Sequence, residues 1–74
     1  MTKIVITNEI RRLRFEHREM TQQDLAEKIG VSRQTVNAIE AGKYWPSLEV
    51  AFRVADVFGR RVDEVFTFEK GGRK

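Results

Sequence analysis

Hydrophobic residues fall at helical spacing in four stretches of the chain, and two short β-branched or aromatic runs lie near its ends. Lys3–Thr7 is strand-like, and Val65–Glu69 has the same character, with Phe66 and Phe68 on one side. The two could pair within one chain or across a dimer; a lone extended tail is the alternative for the first. Asn8 is placed to cap a first helix, with Glu9 in its opening turn. Ile10, Leu13 and His17 form that helix's apolar stripe, and Arg11, Arg12, Arg14 and Arg18 fill the rest. These arginines read as a solvated face balanced by Glu9, Glu16 and Glu19, with Arg14 set apart below.

Thr21-x-x-Asp24 is a capping box opening a second helix that ends at Ile29, where Gly30 supplies a positive φ and Val31 anchors the turn. Ser32 caps a third helix, expected to run to about Ala41 and stop at Gly42. Lys43-Tyr44-Trp45-Pro46 is a loop, because proline forces extended backbone before it. Ser47 caps a fourth helix, and Leu48, Ala51, Phe52, Val54, Ala55 and Phe58 give it the widest apolar face before Gly59. Asp63–Phe66 adds a last helical turn leading into the C-terminal strand. Trp45 is open to three readings: a lid on the core, which is favoured, a stacking contact at a nucleic-acid edge, or part of a dimer seam. The chain is thus expected to be all-α, a bundle of four to five helices with short pairing strands. It is read as one domain over residues 1–70 (core 8–68), with a flexible basic tail at 71–74.

The second and third helices make a helix-turn-helix. Leu25, Ala26 and Ile29 face inward, with Ala26 small where two helices must cross closely. Val36 and Ile39 point the third helix at the core. At about 100° per residue, its opposite face holds Gln34, Asn37, Ala38 and Ala41, with Arg33 on the flank of its first turn. Those are side chains for reading base edges. Gln34 and Asn37 pair a donor with an acceptor and can bracket adenine; Arg33 can grip guanine with two donors; Ala38 is small enough to meet a thymine methyl. Contacts to the DNA backbone are expected from Thr21, Gln22 and Gln23 at the start of the second helix, where free amides attract an anion. Ser32 and Thr35, beside the third helix, and Lys43 and Tyr44, after it, complete the backbone set.

With 74 residues, 41% of them apolar and 34% charged, there is material for one small globular domain. The net charge of +3 is a modest hint of an anionic partner. Without cysteine and with one histidine, neither disulfides nor a metal site can be built, so no cofactor is expected and self-association is the remaining support. The lack of cysteine fits the cytoplasm, and no long apolar run suggests a leader or a membrane span. An enzyme is not expected: His17 has no nucleophile beside it, and there is no glycine-rich phosphate loop.

The run Gln22–Glu40 strongly resembles the XRE family, the phage Cro and repressor type of helix-turn-helix. Gly42-Lys43-Tyr44-x-Pro46-Ser47-Leu48, Ala51-Phe52 and Asp63–Phe66 extend the likeness to compact prokaryotic regulators, over roughly residues 8 to 68. The resemblance implies a lambda-repressor-like bundle whose third helix, over 32–41, enters the major groove. It also implies an ion pair between Arg14 and Glu40, and homodimers on short inverted repeats. Two features depart from the family pattern: the link Phe15–Met20 is one residue longer than usual, and Trp45 replaces a small polar residue before Pro46. The expectation is a sequence-specific transcriptional regulator, a repressor, with double-stranded DNA and a second copy as partners and no small-molecule ligand. The alternative is an antitoxin or another protein-interaction module on the same fold.

Overall fold

Three of the five helices begin where an N-cap hydroxyl oxygen replaces a missing backbone partner. In the computed structural model, which describes residues 3–71, α1 spans Ile10–Glu16, α2 Gln22–Ile29, α3 Arg33–Glu40, α4 Leu48–Phe58 and α5 Val62–Val65. Thr21 Oγ1 accepts the Asp24 N–H while the Asp24 carboxylate accepts the Thr21 N–H, a reciprocal capping box. Ser32 and Ser47 accept from the N–H groups of Thr35 and Val50. Gly30, with φ of 77°, turns the chain out of α2, and the N–H groups of Gly30 and Val31 both donate to the Ala26 carbonyl. An alanine there would keep the space but not the conformation, since its Cβ meets nothing nearer than Arg53 at 3.5 Å while the positive φ stays unfavourable.

The end segments pair within the chain. β1 (Lys3–Asn8) and β2 (Phe66–Gly71) form an antiparallel two-stranded ribbon, with Ile6 opposite Phe68 and Asn8 opposite Phe66. Opposed residues share a face, so Ile6, Asn8, Phe66 and Phe68 lie on one side. Phe66 packs against the core, while Phe68 is exposed. β2 runs to Gly71, and the rest of the expected basic tail, 72–74, lies outside the described residues.

Some expectations need correcting. β1 includes Asn8, so α1 starts one residue later than a cap at Asn8 would place it; Asn8 Oδ1 still accepts the Ile10 N–H at 3.1 Å. The last helical turn is Val62–Val65, which frees Phe66 for the strand. On α4, Ala51, Val54, Ala55 and Phe58 are buried, but Leu48 and Phe52 are not. Trp45 is 57% exposed and covers no core. The longer link after α1 is taken up by Arg18 and Glu19, both at positive φ (59° and 54°), a conformation costing non-glycine residues about 1 kcal/mol or more each. The Met20 N–H then closes the link on the Arg14 carbonyl at 2.9 Å.

The core joins all five helices: Ile10 and Leu13, then Leu25, Ala26 and Ile29, then Val36 and Ile39, then Val54, Ala55 and Phe58, with Val65. Ala26 is fully buried among the residues joining α2 to its neighbours. His17 is half-buried, its ring edge-on to Phe58 at 5.0 Å, so it completes the stripe begun by Ile10 and Leu13.

Candidate nucleic-acid interface

α3 buries Val36 and Ile39 and turns one side of its surface outward. Arg33, Gln34 and Asn37 are exposed, and Ala38 is half-buried where the chain returns and the Lys43 N–H donates to the Ala38 carbonyl at 3.0 Å. Among the described residues Arg33 is in no ion pair, and the Gln34 amide has no partner. Free cations and amides on an exposed helix are what a base edge can use.

The one acid on α3 is neutralised from behind. Arg14, 9% exposed, gives Glu40 two parallel donors, Nε to Oε2 at 2.5 Å and Nη2 to Oε1 at 3.1 Å. Its remaining nitrogen donates to the Met20 carbonyl at 2.8 Å. A forked pair of this kind is directional as well as strong, so it fixes α1, the link and the end of α3 relative to one another. No buried side-chain nitrogen or oxygen is left without a partner among the described residues.

The Gln22 side chain, expected beside the phosphates, is also bonded within the protein. Its Nε2 donates to Asn37 Oδ1 and to Glu40 Oε1, both at 3.2 Å. That bond leaves the Asn37 NH2 group as the outward donor and one lone pair of its oxygen still free. Gln22 thus positions a side chain of α3, while Gln23 Nε2 turns along α2 to Glu27 at 3.1 Å. Since Thr21 and Asp24 cap each other, the free amides at this end of α2 are those of Gln22 and Gln23. The Asp24 carboxylate is held below its ordinary pKa, first by the Thr21 backbone N–H and then by the Thr21 side chain, so it stays charged there.

Thr21, Gln22, Gln23 and Arg33 line one open cleft of about 590 Å³ with Phe15 and Met20. The structure thus brings the start of α2 and the start of α3 together on one surface. Lys43 and Tyr44 are exposed beyond the other end of α3, where they would meet a different stretch of backbone. Ser32 and Thr35 are engaged with each other, their hydroxyl oxygens 3.0 Å apart, and Thr35 is half-buried. The larger depression between the α1–α2 link and the outer side of α2 includes none of the expected base readers.

One positioning residue was missed as such by sequence reasoning. Asn8 Nδ2 donates to the Ile39 carbonyl at 3.0 Å, holding the final turn of α3 from the foot of the ribbon. An asparagine before a helix signals a cap; nothing local signals its reach to a carbonyl 31 residues away. Phe15 is a second surprise, exposed at the margin of the cleft with the Arg11 and Arg14 guanidinium carbons 5.8 and 5.9 Å from its ring centre.

Comparison with known proteins agrees with this geometry. The family profile described as helix-turn-helix matches residues 10–65. An uncharacterized HTH-type transcriptional regulator of Methanocaldococcus jannaschii is 50% identical over 62 residues, covering 84% of this chain and 92% of the relative. Another, from Methanothermobacter thermautotrophicus, is 44% identical over 69 residues, covering 88% of this chain and all of the relative. The crystal structure of a candidate DNA-binding protein from Bacteroides fragilis superposes with a TM-score of 0.74 at 25% identity, over 85% of this chain and all of that one. From the match across all five helices and the relatives it shares them with, the chain belongs to the XRE-type helix-turn-helix family.

Proposed function

We propose that the protein is a sequence-specific transcriptional regulator that docks α3 in the major groove as a homodimer and represses by occupying its operator. The observation that carries this is the outward side of α3: among the described residues Arg33 and Gln34 have no side-chain partner, Asn37 is exposed and bonded through its oxygen to Gln22, and Glu40 is neutralised by Arg14. In the proposed complex Arg33, Gln34, Asn37 and Ala38 meet base edges. The free amides of α2, with Thr21, Gln23, Ser32, Thr35, Lys43 and Tyr44, follow the phosphates, and Gln22 acts mainly on Asn37. Two copies would span half-sites about one helical turn apart. Occupying a promoter needs no surface beyond this one, and it places the protein in the cytoplasm with its DNA. No helix among the described residues is long and apolar enough to cross a membrane.

Selection from a random duplex pool tests the reading. An inverted repeat with half-sites about one turn apart is expected; recovery of no motif would overturn it and favour a protein-interaction module.

A further inference from the structure

Two large hydrophobic side chains of α4, neither of them among the expected DNA contacts, are left uncovered. Leu48 is 72% exposed and Phe52 57%, and their spacing of four puts them one turn apart on one side of the helix. Ala55, three residues on, marks the edge of the core. Beside Phe52 and Ala55 an open groove of about 510 Å³ runs between α4 and α5, with Val62 on its far wall. Trp45, two residues ahead of the Ser47 cap, adds another exposed ring at the Leu48 end of the helix.

We propose that this flank of α4 is the seat of a second copy of the chain. The proposal rests on the homodimer reading above and specifies which surface forms the dimer. Three features favour a second copy as the occupant.

The first is charge. The groove is rimmed by two acids, Asp56 and Asp63, and two bases, Arg60 and Arg61. A two-fold interface needs a surface complementary to itself, with residue i against j and j against i. An apolar centre with equal numbers of both signs around it meets that need. Asp56 has no ion pair among the described residues, and Arg60 has only a 3.9 Å approach to Glu16, so both can engage across an axis.

The second is area. Three large side chains at these exposures leave roughly 400 Å² uncovered. That is about half of one side of a standard interface, the remainder of which is ordinarily polar rim. A modest dimer, reinforced by DNA, suits such a surface.

The third is position. α4 begins one short loop after α3, so an axis passing by Leu48 and Phe52 joins two copies near the ends of their α3 helices. The ribbon is the weaker candidate: among the side chains described there, Phe66 packs inward, Phe68 is exposed on the same face and Val5 lies on the other.

Sedimentation equilibrium of the whole chain, over a range of concentration, provides the first readout and needs no DNA. Leu48→Glu and Phe52→Glu should each raise the dimer dissociation constant about tenfold or more, and, because both side chains are exposed in the single chain, leave the far-ultraviolet circular dichroism of the folded protein unchanged. Phe68→Glu should leave the dimer as it is. The second readout is titration of the duplex recovered from the random pool against the same duplex with one half-site scrambled. Leu48→Glu should lose cooperativity on the intact site and keep wild-type affinity for the single half-site. Dimers of normal strength from both α4 variants would overturn this surface while the homodimer stands, and a defect confined to Phe68→Glu would move the interface to the ribbon. A wild-type chain that is monomeric and binds two half-sites without cooperativity would remove the homodimer reading and this proposal together.

Discussion

The two helices of the helix-turn-helix are equal in length, eight residues each, and both start at a hydroxyl cap, yet they are stabilised in opposite ways. α2 holds itself: it has a reciprocal capping box, residues of good helix propensity, and Gln23 bonded to Glu27 along its outer side. α3 is richer in poor helix formers, Thr35, Val36, Asn37 and Ile39, and its exposed Arg33 and Gln34 have no such partners. It is held from outside instead, by Asn8 on the Ile39 carbonyl, Arg14 on Glu40 and Gln22 on Asn37. The difference fits the role proposed for α3: side chains kept free for bases cannot also stabilise their own helix, so the support comes from elements behind it.

That contrast can be broken most severely at Arg14. Arg14→Met leaves Glu40 buried and unpaired, and we expect a loss of about 3–5 kcal/mol in denaturant unfolding together with loss of specific DNA binding. Arg14→Met with Glu40→Met should restore most of the stability, because a buried ion pair is readily replaced by apolar residues. A double variant as unstable as the single one would mean that the Met20 carbonyl, rather than Glu40, is the costly orphan. Next in size, Arg33→Ala should cost about 1–3 kcal/mol of binding free energy at one base position per half-site with unchanged stability; equal weakening on every sequence would remove it from the reading set.

Asn8→Ala should lower stability by about 1–2 kcal/mol through the lost bonds at Ile39 and Ile10. Hydrogen exchange should localise the loosening to the end of α3 and the start of α1, whereas a uniform change across the fold would contradict a positioning role. Lys43→Ala is a smaller effect: all duplexes should bind more weakly and the salt slope should fall by about one. An unaltered slope would take Lys43 out of the phosphate set.

The smallest effect separates α2 by pH. Because the folded state lowers the Asp24 pKa, its contribution is complete above the ordinary carboxylate range and is lost as the pH falls through the lowered value. Asp24→Asn should therefore flatten the acid limb of the stability profile slightly and leave neutral-pH DNA specificity alone, as melts across acidic pH would show.

Much of this was legible in the chain because it is local. Thr21 with Asp24, Ser32, Ser47, Gly30 and Gly59 mark ends through bonds within a few residues, and the structure has its helix ends there. The inward set Leu25, Ala26, Ile29, Val36 and Ile39 follows from helical spacing and is buried throughout. On α4 periodicity finds the hydrophobic stripe but not where the neighbouring elements end, so it does not separate the buried Ala51, Val54, Ala55 and Phe58 from the exposed Leu48 and Phe52. The reach of Asn8 to Ile39 and of Gln22 to Asn37 was hidden because each joins elements distant along the chain. The strained link at Arg18 and Glu19 was visible as one residue too many, but not as a pair of left-handed residues.

Whether α3 reads while α2 holds is decided by repeating the random-pool selection with Asn37→Ala and with Gln23→Ala beside the wild type. Asn37→Ala should relax one position in each half-site, and Gln23→Ala should return the wild-type motif at uniformly lower affinity. A motif altered by Gln23→Ala, or untouched by Asn37→Ala, would contradict that division.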